Sequence, residues 1–373
     1  MIEINQKYQM SKEVISNIRL FFSAITLTLL MGCQGSKEEI KKDTLFTAMS
    51  PEETGIQFVN TVVNQKNFNI FKYRNFYNGG GVAIGDINND GLADIYMTAN
   101  MGPNKLFLNK GNFTFEDITA TAGVEGNKPW STGVNMVDIN NDGLLDIYVS
   151  NAGNMEGDNH DNDLYINNGD LTFTEKAKEF NLADTGFSTH ASFFDYDKDG
   201  DLDAYILNNS NIPVSSLGYA EQREQRAQDW ENVPKIFRGV GDMLLRNDGD
   251  TFTNVSDEAG IYGSLIGFGL GVMISDINHD LYPDIYVSND FYERDYLYIN
   301  NQDGTFTNSV LDAFKHISNY SMGSDFVDIN NDFLTLSGAH SALAARHRID
   351  HDTHHEKIDG IMDALDAFTE ASN

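Results

Sequence analysis

One cysteine in 373 residues excludes an intramolecular disulfide framework, and 6 prolines beside 32 glycines exclude a proline-rich chain. Basic residues are scarce as well: 25 Lys+Arg stand against 56 Asp+Glu, a formal net charge of -31. Such a chain is a poor partner for nucleic acid or for an anionic lipid surface. Long apolar runs are also missing, and the stretch from Leu20 to Met31 is too short to span a bilayer. What is present suffices for a core, because 40% of residues are hydrophobic and 11% aromatic, so wholesale disorder is excluded. The glycine count points to a turn-rich β protein, and the surplus acid calls for a role.

Lys7, Lys12 and Arg19 precede the apolar stretch, which ends at Leu30, Met31, Gly32 and Cys33. This arrangement resembles the lipobox of bacterial lipoproteins, in which the cysteine is lipidated and becomes the mature N-terminus. It implies a signal peptide over residues 1–32, a lipid on Cys33 and attachment to a membrane. The other reading is a buried cysteine after an uncleaved helix. Residues 33–44 form a polar tether, and Ser36-Lys37-Glu38-Glu39 resembles the surface-export signal of Bacteroidota lipoproteins. A generic charged linker is the competing reading of those four residues. The address expected is the outer membrane or cell surface.

An acidic pattern then repeats. Asp86, Asn88, Asp90, Gly91 and Asp94 recur as Asp138, Asn140, Asp142, Gly143 and Asp146. They recur again as Asp195, Asp197, Asp199, Gly200 and Asp203, and as Asp276, Asn278, Asp280, Leu281 and Asp284. A fifth copy opens at Asp328, Asn330 and Asp332 and then fails, with Phe333 and Leu336 at the sixth and ninth places. The first aspartates are spaced by 52, 57, 81 and 52 residues. Oxygen side chains at positions 1, 3 and 5, a sharp turn at 6, a carbonyl at 7 and an aspartate at 9 suit a hard cation, Ca²⁺. An EF-hand would need a bidentate Glu at position 12, where Met97, Val149, Ile206 and Val287 stand instead. These residues lie in β-rich runs, so each loop joins two strands. Metal-free Asp/Asn-Gly turns are the rival, but clustered carboxylates repel unless a cation neutralises them. Leu281 is the weak point of the fourth copy, because a left-handed conformation there costs on the order of 1 kcal/mol.

A second pattern follows each loop: Asn104 to Asn109 and Gly111, Asn162 to Asn167 and Gly169, Asp242 to Asn247 and Gly249, and Asp295 to Asn300. Each reads as strand, turn, then a strand ending in Thr-Phe. One unit is thus four antiparallel strands over about fifty residues, a propeller blade. The expectation is an all-β β-propeller over residues 45–337, with four full blades and a partial fifth.

These repeats, with their Asp-Ile-Tyr and Leu-Tyr-Ile-Asn-Asn-Gly sequences, resemble FG-GAP/VCBS repeats of integrin-α-type propellers. The stretches Tyr73 to Asp86 and Pro283 to Asp295 look like the cartilage acidic protein/UnbV branch. The resemblance implies seven or eight blades, Ca²⁺ in the blade loops and extracellular recognition or adhesion of a protein or glycan. It does not imply an enzyme. A propeller-type polysaccharide lyase or hydrolase, or a fragment of a longer relative, is the alternative. Leu45 to Gly55 echoes Thr251 to Gly260 and reads as an outer strand meant to close a ring. An insertion at 209–238 carries Tyr219 and Trp230, candidate ligand contacts on a protruding helix. Beyond Phe333 the composition changes. His347, His351 and His355 are spaced for one helical face, and Ile358, Ile361, Met362 and Leu365 suggest a short amphipathic helix in a tail over 338–373, whose origin is open.

Overall fold

The computed structural model describes residues 45–153, 160–210, 241–249, 251–291, 293–318, 320–327, 336–339 and 343–344. The chain divides into two units, Met1–Met49 and Ser50–Asn373. In the first, residues 45–49 form no strand, and Leu45 and Phe46 lie exposed. The outer strand expected at Leu45–Gly55 is therefore not formed there, because a strand needs a partner edge for its N–H and C=O groups. The echo of Thr251–Gly260 survives in the second unit as a one-turn helix, Pro51–Thr54. It is capped by Ser50 and ends at left-handed Gly55, as Ser256–Ala259 ends at Gly260. The signal stretch with Cys33, the insertion residues Tyr219 and Trp230, the fifth loop at Asp328, Asn330 and Asp332, and the histidines of the tail lie outside the described residues.

Each acidic repeat builds one four-stranded antiparallel sheet in sequential order. The first contains β1 (Val82–Gly85), β2 (Asp94–Met97), β3 (Lys105–Asn109) and β4 (Phe115–Asp117). The second contains β5 (Ser131–Val137), β6 (Asp146–Asn151), β7 (Asp163–Asn167) and β8 (Phe173–Glu175). The third contains β9 (Ser188–Phe194), β10 (Asp203–Asn208), β11 (Met243–Asn247) and β12 (Phe252–Asn254). The fourth contains β13 (Gly269–Ser275), β14 (Asp284–Asn289), β15 (Tyr296–Asn300) and β16 (Phe306–Asn308). A three-stranded sheet follows, β17 (Ser324–Val327), β18 (Leu336–Ala339) and β19 (Leu343–Ala344), so β structure runs past residue 337.

β-branched and aromatic residues fill the second strand of each sheet, and β6, β10 and β14 are buried along their whole length. That is the pattern of a strand covered on both faces by neighbouring sheets. The first strands β1, β5, β9, β13 and β17 contact one another in series. Apolar clusters fill the space between successive sheets, such as Tyr96, Leu106, Val134, Ile147, Val149 and Phe173 between the first two. Tyr205, Leu207, Leu244, Val272, Val287 and Phe306 do the same between the third and fourth. The result is a propeller-like array that is not closed, and Val82 (58%) and Ile84 (67%) lie exposed on β1. One local expectation is corrected: the Thr-Phe pair opens the outer strand instead of ending it. Phe115, Phe173, Phe252 and Phe306 are the first residues of β4, β8, β12 and β16, where each pairs with the hairpin asparagine across the turn.

The first residue of each second pattern ties the blade together. Asn104 and Asn162 accept the N–H of Ala99 and Asn151. Asp242 and Asp295 accept the N–H of Asn208 and Asn289, and also the Tyr205 and Tyr286 hydroxyls. Burial pushes the Asp242 carboxyl up to about 7, with both hydrogen bonds pulling the other way. A folded pKa above the unfolded value of about 3.9 means the fold holds the proton more tightly. This contribution is therefore complete below pH about 4 and is lost as pH rises to about 7. Asp242→Asn copies the Asn162 arrangement and should flatten that part of the pH dependence, read as melting temperature between pH 4 and 8.

Candidate metal centre

Every acidic loop leaves the end of a first strand and enters a second strand at its ninth-position aspartate. Asp94, Asp146, Asp203 and Asp284 are all fully buried. In each, one oxygen accepts the N–H of the loop's second residue and the other accepts the N–H of the hairpin asparagine. The distances are 3.0 and 2.7 Å for Asp94 with Ile87 and Asn109, and 3.0 and 2.8 Å for Asp146 with Ile139 and Asn167. They are 3.0 and 2.9 Å for Asp203 with Tyr196 and Asn247, and both 2.8 Å for Asp284 with Ile277 and Asn300. The sequence reading treated this aspartate as a ligand alone and missed its clamping of three strand ends. Burial pushes Asp203 up to about 7 and Asp146 and Asp284 up to about 6, and it raises Asp94 too. The two N–H bonds oppose that rise, while loop carboxylates such as Asp142 and Asp138 beside Asp146 add to it.

The hairpin asparagines are a second feature that sequence reasoning read only as turn residues. Asn109, Asn167 and Asn247 cap the N–H of Gly111, Gly169 and Gly249. Asn167 Nδ2 also donates to the Ile87 carbonyl of the first sheet at 2.8 Å, and Asn300 Nδ2 donates to the Tyr196 carbonyl of the third. The recurrence of Asn at one place in all four copies was the available signal.

The loops themselves share one backbone shape, left-handed at positions 4 and 6. Asn89, Asn141, Lys198 and His279 have φ between 56° and 66°, and Gly91, Gly143, Gly200 and Leu281 have φ between 75° and 101°. Leu281 thus adopts the strained conformation that its sequence position implies. The side chains differ in one way. In loops one, two and four, the position-3 asparagines Asn88, Asn140 and Asn278 donate Nδ2 to Asp90, Asp142 and Asp280, and the N–H of that same aspartate reaches Asp86, Asp138 and Asp276. The oxygens there are taken up within the loop. In loop three Asp197 replaces the asparagine, so that donor is lost. Oxygens of Asp195, Asp197 and Asp203 lie within 4.8 Å of one another, the one such group among the described residues. Asp195 Oδ1 and Asp201 Oδ1 are buried with no hydrogen-bond partner. Asp201, at position 7, was counted in the sequence only for its carbonyl; the unbroken alternation of Asp from 195 to 203 was its signal. Burial and the neighbouring carboxylates raise Asp197 and Asp201. Oxygen-only donors, crowded and partly unpartnered, fit a hard divalent cation.

Asp146→Ala strands two buried N–H groups, so it should cost about 3 kcal/mol in chelator and more in Ca²⁺, where a loop carboxylate is lost as well, read by denaturant unfolding. Asp199→Ala, in the open loop, should lose stability in Ca²⁺ alone. Leu281→Gly should stabilise by about 1 kcal/mol in either condition by relieving the left-handed strain.

Residues 86–149, 152–206 and 276–334 match the FG-GAP-like repeat family. Cartilage acidic protein 1 of Xenopus tropicalis is 36% identical over 187 residues, which is 47% of this chain and 28% of that protein. The Homo sapiens protein is 33% identical over 188 residues, 47% of this chain and 27% of the relative. The chain thus spans less than a third of the length of either. A solved structure, titled as the basis of specific recognition of non-reducing terminal N-acetylglucosamine by an Agrocybe aegerita lectin, superposes with a TM-score of 0.37. It is 18% identical and covers 68% of this chain and 59% of that one. The chain therefore carries FG-GAP-like repeats, folded as four-stranded propeller-type sheets, and is similar to cartilage acidic protein 1 over about half its length.

Proposed function

We propose that this chain is a recognition module held in shape by Ca²⁺ and attached to the outer membrane or cell surface through a lipid on Cys33. Its partner is an extracellular protein or glycan, and it works by binding, with no covalent step. FG-GAP-like repeats of this type suggest a propeller-type recognition or adhesion module. The observation that carries the Ca²⁺ part is loop three, where three carboxylates converge and Asp195 Oδ1 has no partner. Asp195, Asp197, Asp199 and Asp203 would hold the ion there, with Asp201 beside them. The matching sets are Asp86, Asn88, Asp90 and Asp94, then Asp138, Asn140, Asp142 and Asp146, and Asp276, Asn278, Asp280 and Asp284. Bound Ca²⁺ would supply positive charge to a crowded acidic loop. The chain's own residues do the rest: the buried ninth aspartate couples each loop to its hairpin, and the hairpin asparagine couples one sheet to the next. Attachment by lipid is compatible with the described residues, of which no helix is long and apolar enough to cross a membrane.

The full chain should melt at a clearly higher temperature in Ca²⁺ than in excess chelator, because ligands that bind only the folded state stabilise it by mass action. Equal melting in both conditions would remove Ca²⁺ from this account. The Ca²⁺-loaded protein should also be retained on at least one member of a panel of neutral polysaccharides, acidic polysaccharides and extracellular-matrix proteins. Retention on none, or appearance of cleaved saccharide ends, would replace the binder with another class of activity. Cys33→Ala should abolish incorporation of labelled palmitate in the expressing bacterium.

A further inference from the structure

The first strands of the sheets frame a cavity of about 420 Å³ at their N-terminal ends, lined by residues from the 73–81 segment and from β5, β9 and β13. None of its described lining residues carries a formal charge, since burial lowers the pKa of the His190 ring and raises that of the Tyr73 phenol. That is unusual in a chain of net charge -31. Its wall is aromatic. Trp130 meets Tyr73 edge to face at 5.6 Å, and Phe68 stacks on the same Tyr73 ring at 5.7 Å, so the phenol is held in one orientation.

Two polar atoms on that wall have no partner. Tyr73 is 4% exposed and Asn75 is 6% exposed, yet Tyr73 Oη and Asn75 Nδ2 make no hydrogen bond. The Asn75 amide lies close enough to temper the upward push of burial on the Tyr73 phenol, but neither group is satisfied. A buried polar group without a partner costs about 1–3 kcal/mol, and folded proteins keep few of them. The His190 ring makes no hydrogen bond among the described residues. Gly133 leaves room for it, since a Cβ there would stand 2.6 Å from His190 Nδ1. Thr132 and Thr189 donate their hydroxyl protons to the Ser188 and Gly269 carbonyls, which leaves lone pairs on both hydroxyl oxygens free to accept.

We propose that this axial cavity binds a neutral sugar unit, its apolar face against the Tyr73 and Trp130 wall and its hydroxyls bonded by Tyr73, Asn75 and His190. The chemistry points there because the cavity pairs a rigid aromatic surface with mixed donors and acceptors and carries nothing to neutralise an ion. The volume falls within the range of about 300–1,000 Å³ typical of small-molecule sites. The site rests on the recognition reading above and gives it a location away from the insertion at 209–238.

The chain has 2 tryptophans, so Trp230→Phe leaves Trp130 as the sole tryptophan reporter and removes the insertion's aromatic. Titrating glucose, galactose, mannose and xylose into that full-length, Ca²⁺-loaded variant should give a saturable change in Trp130 fluorescence with at least one sugar, and none with glucuronic acid. Adding Tyr73→Phe or His190→Ala should weaken that sugar about tenfold or more. Tyr73→Phe should meanwhile melt at or above its parent, because an unpaired hydroxyl is gone, whereas a purely packing role predicts unchanged affinity. Unchanged affinity in both variants, or no saturable response to any of the four sugars, overturns the site. If the protein is still retained on the panel described above, the recognition reading stands without this site; if it is not, both fall.

Discussion

A carboxylate buried at the start of each second strand, with both oxygens accepting main-chain N–H groups, is the interaction on which this architecture depends. Asp94, Asp146, Asp203 and Asp284 each bind the start of their own loop and the hairpin that follows. An ionised carboxylate with no exposure is tolerable only where it is fully hydrogen-bonded or neutralised. Burial raises all four pKa values in spite of two N–H bonds each, which shows how finely that balance is held. A nearby cation would tip it toward the charged form.

The four loops share a backbone and differ in how they dispose of their charge. Three satisfy much of it internally through an asparagine amide. The third, with Asp at positions 1, 3, 5, 7 and 9, does not, and its oxygens stay crowded and partly unpartnered. One atom type at position 3 separates a turn that closes on itself from one whose carboxylates stay crowded. The hairpin asparagines carry that local order sideways, from the second sheet to the first and from the fourth to the third.

The acidic loops and the axial cavity occupy opposite ends of the same strands. In β9, Thr189 and His190 line the cavity and Asp195 opens the loop. At about 3.3 Å per residue, the two ends are roughly 20 Å apart. Metal and ligand would therefore meet only through the strands between them, with the ion fixing one end of a scaffold whose other end presents an uncharged, aromatic-walled hollow.

Much of this was legible in the sequence, because both the loop and the strand are local devices. Alternating oxygen side chains followed by Asp-Ile-Tyr specify a turn and the strand after it without reference to anything distant, and four copies specify a meander of like sheets. The strain at Leu281 was readable for the same reason. Tertiary structure alone decided what depends on pairing partners far along the chain. Leu45 to Met49 had a strand's sequence and form no strand. Thr-Phe opened the outer strand because register is set across the hairpin. The ninth aspartate proved a backbone clamp, with donors that sit up to 44 residues away. Tyr73 and Asn75 lay in a stretch that showed only a family resemblance, and Trp130 and His190 gave no pattern in one dimension. They converge because the 73–81 segment and successive first strands line one cavity, and that packing removes Tyr73 Oη and Asn75 Nδ2 from water without giving them partners.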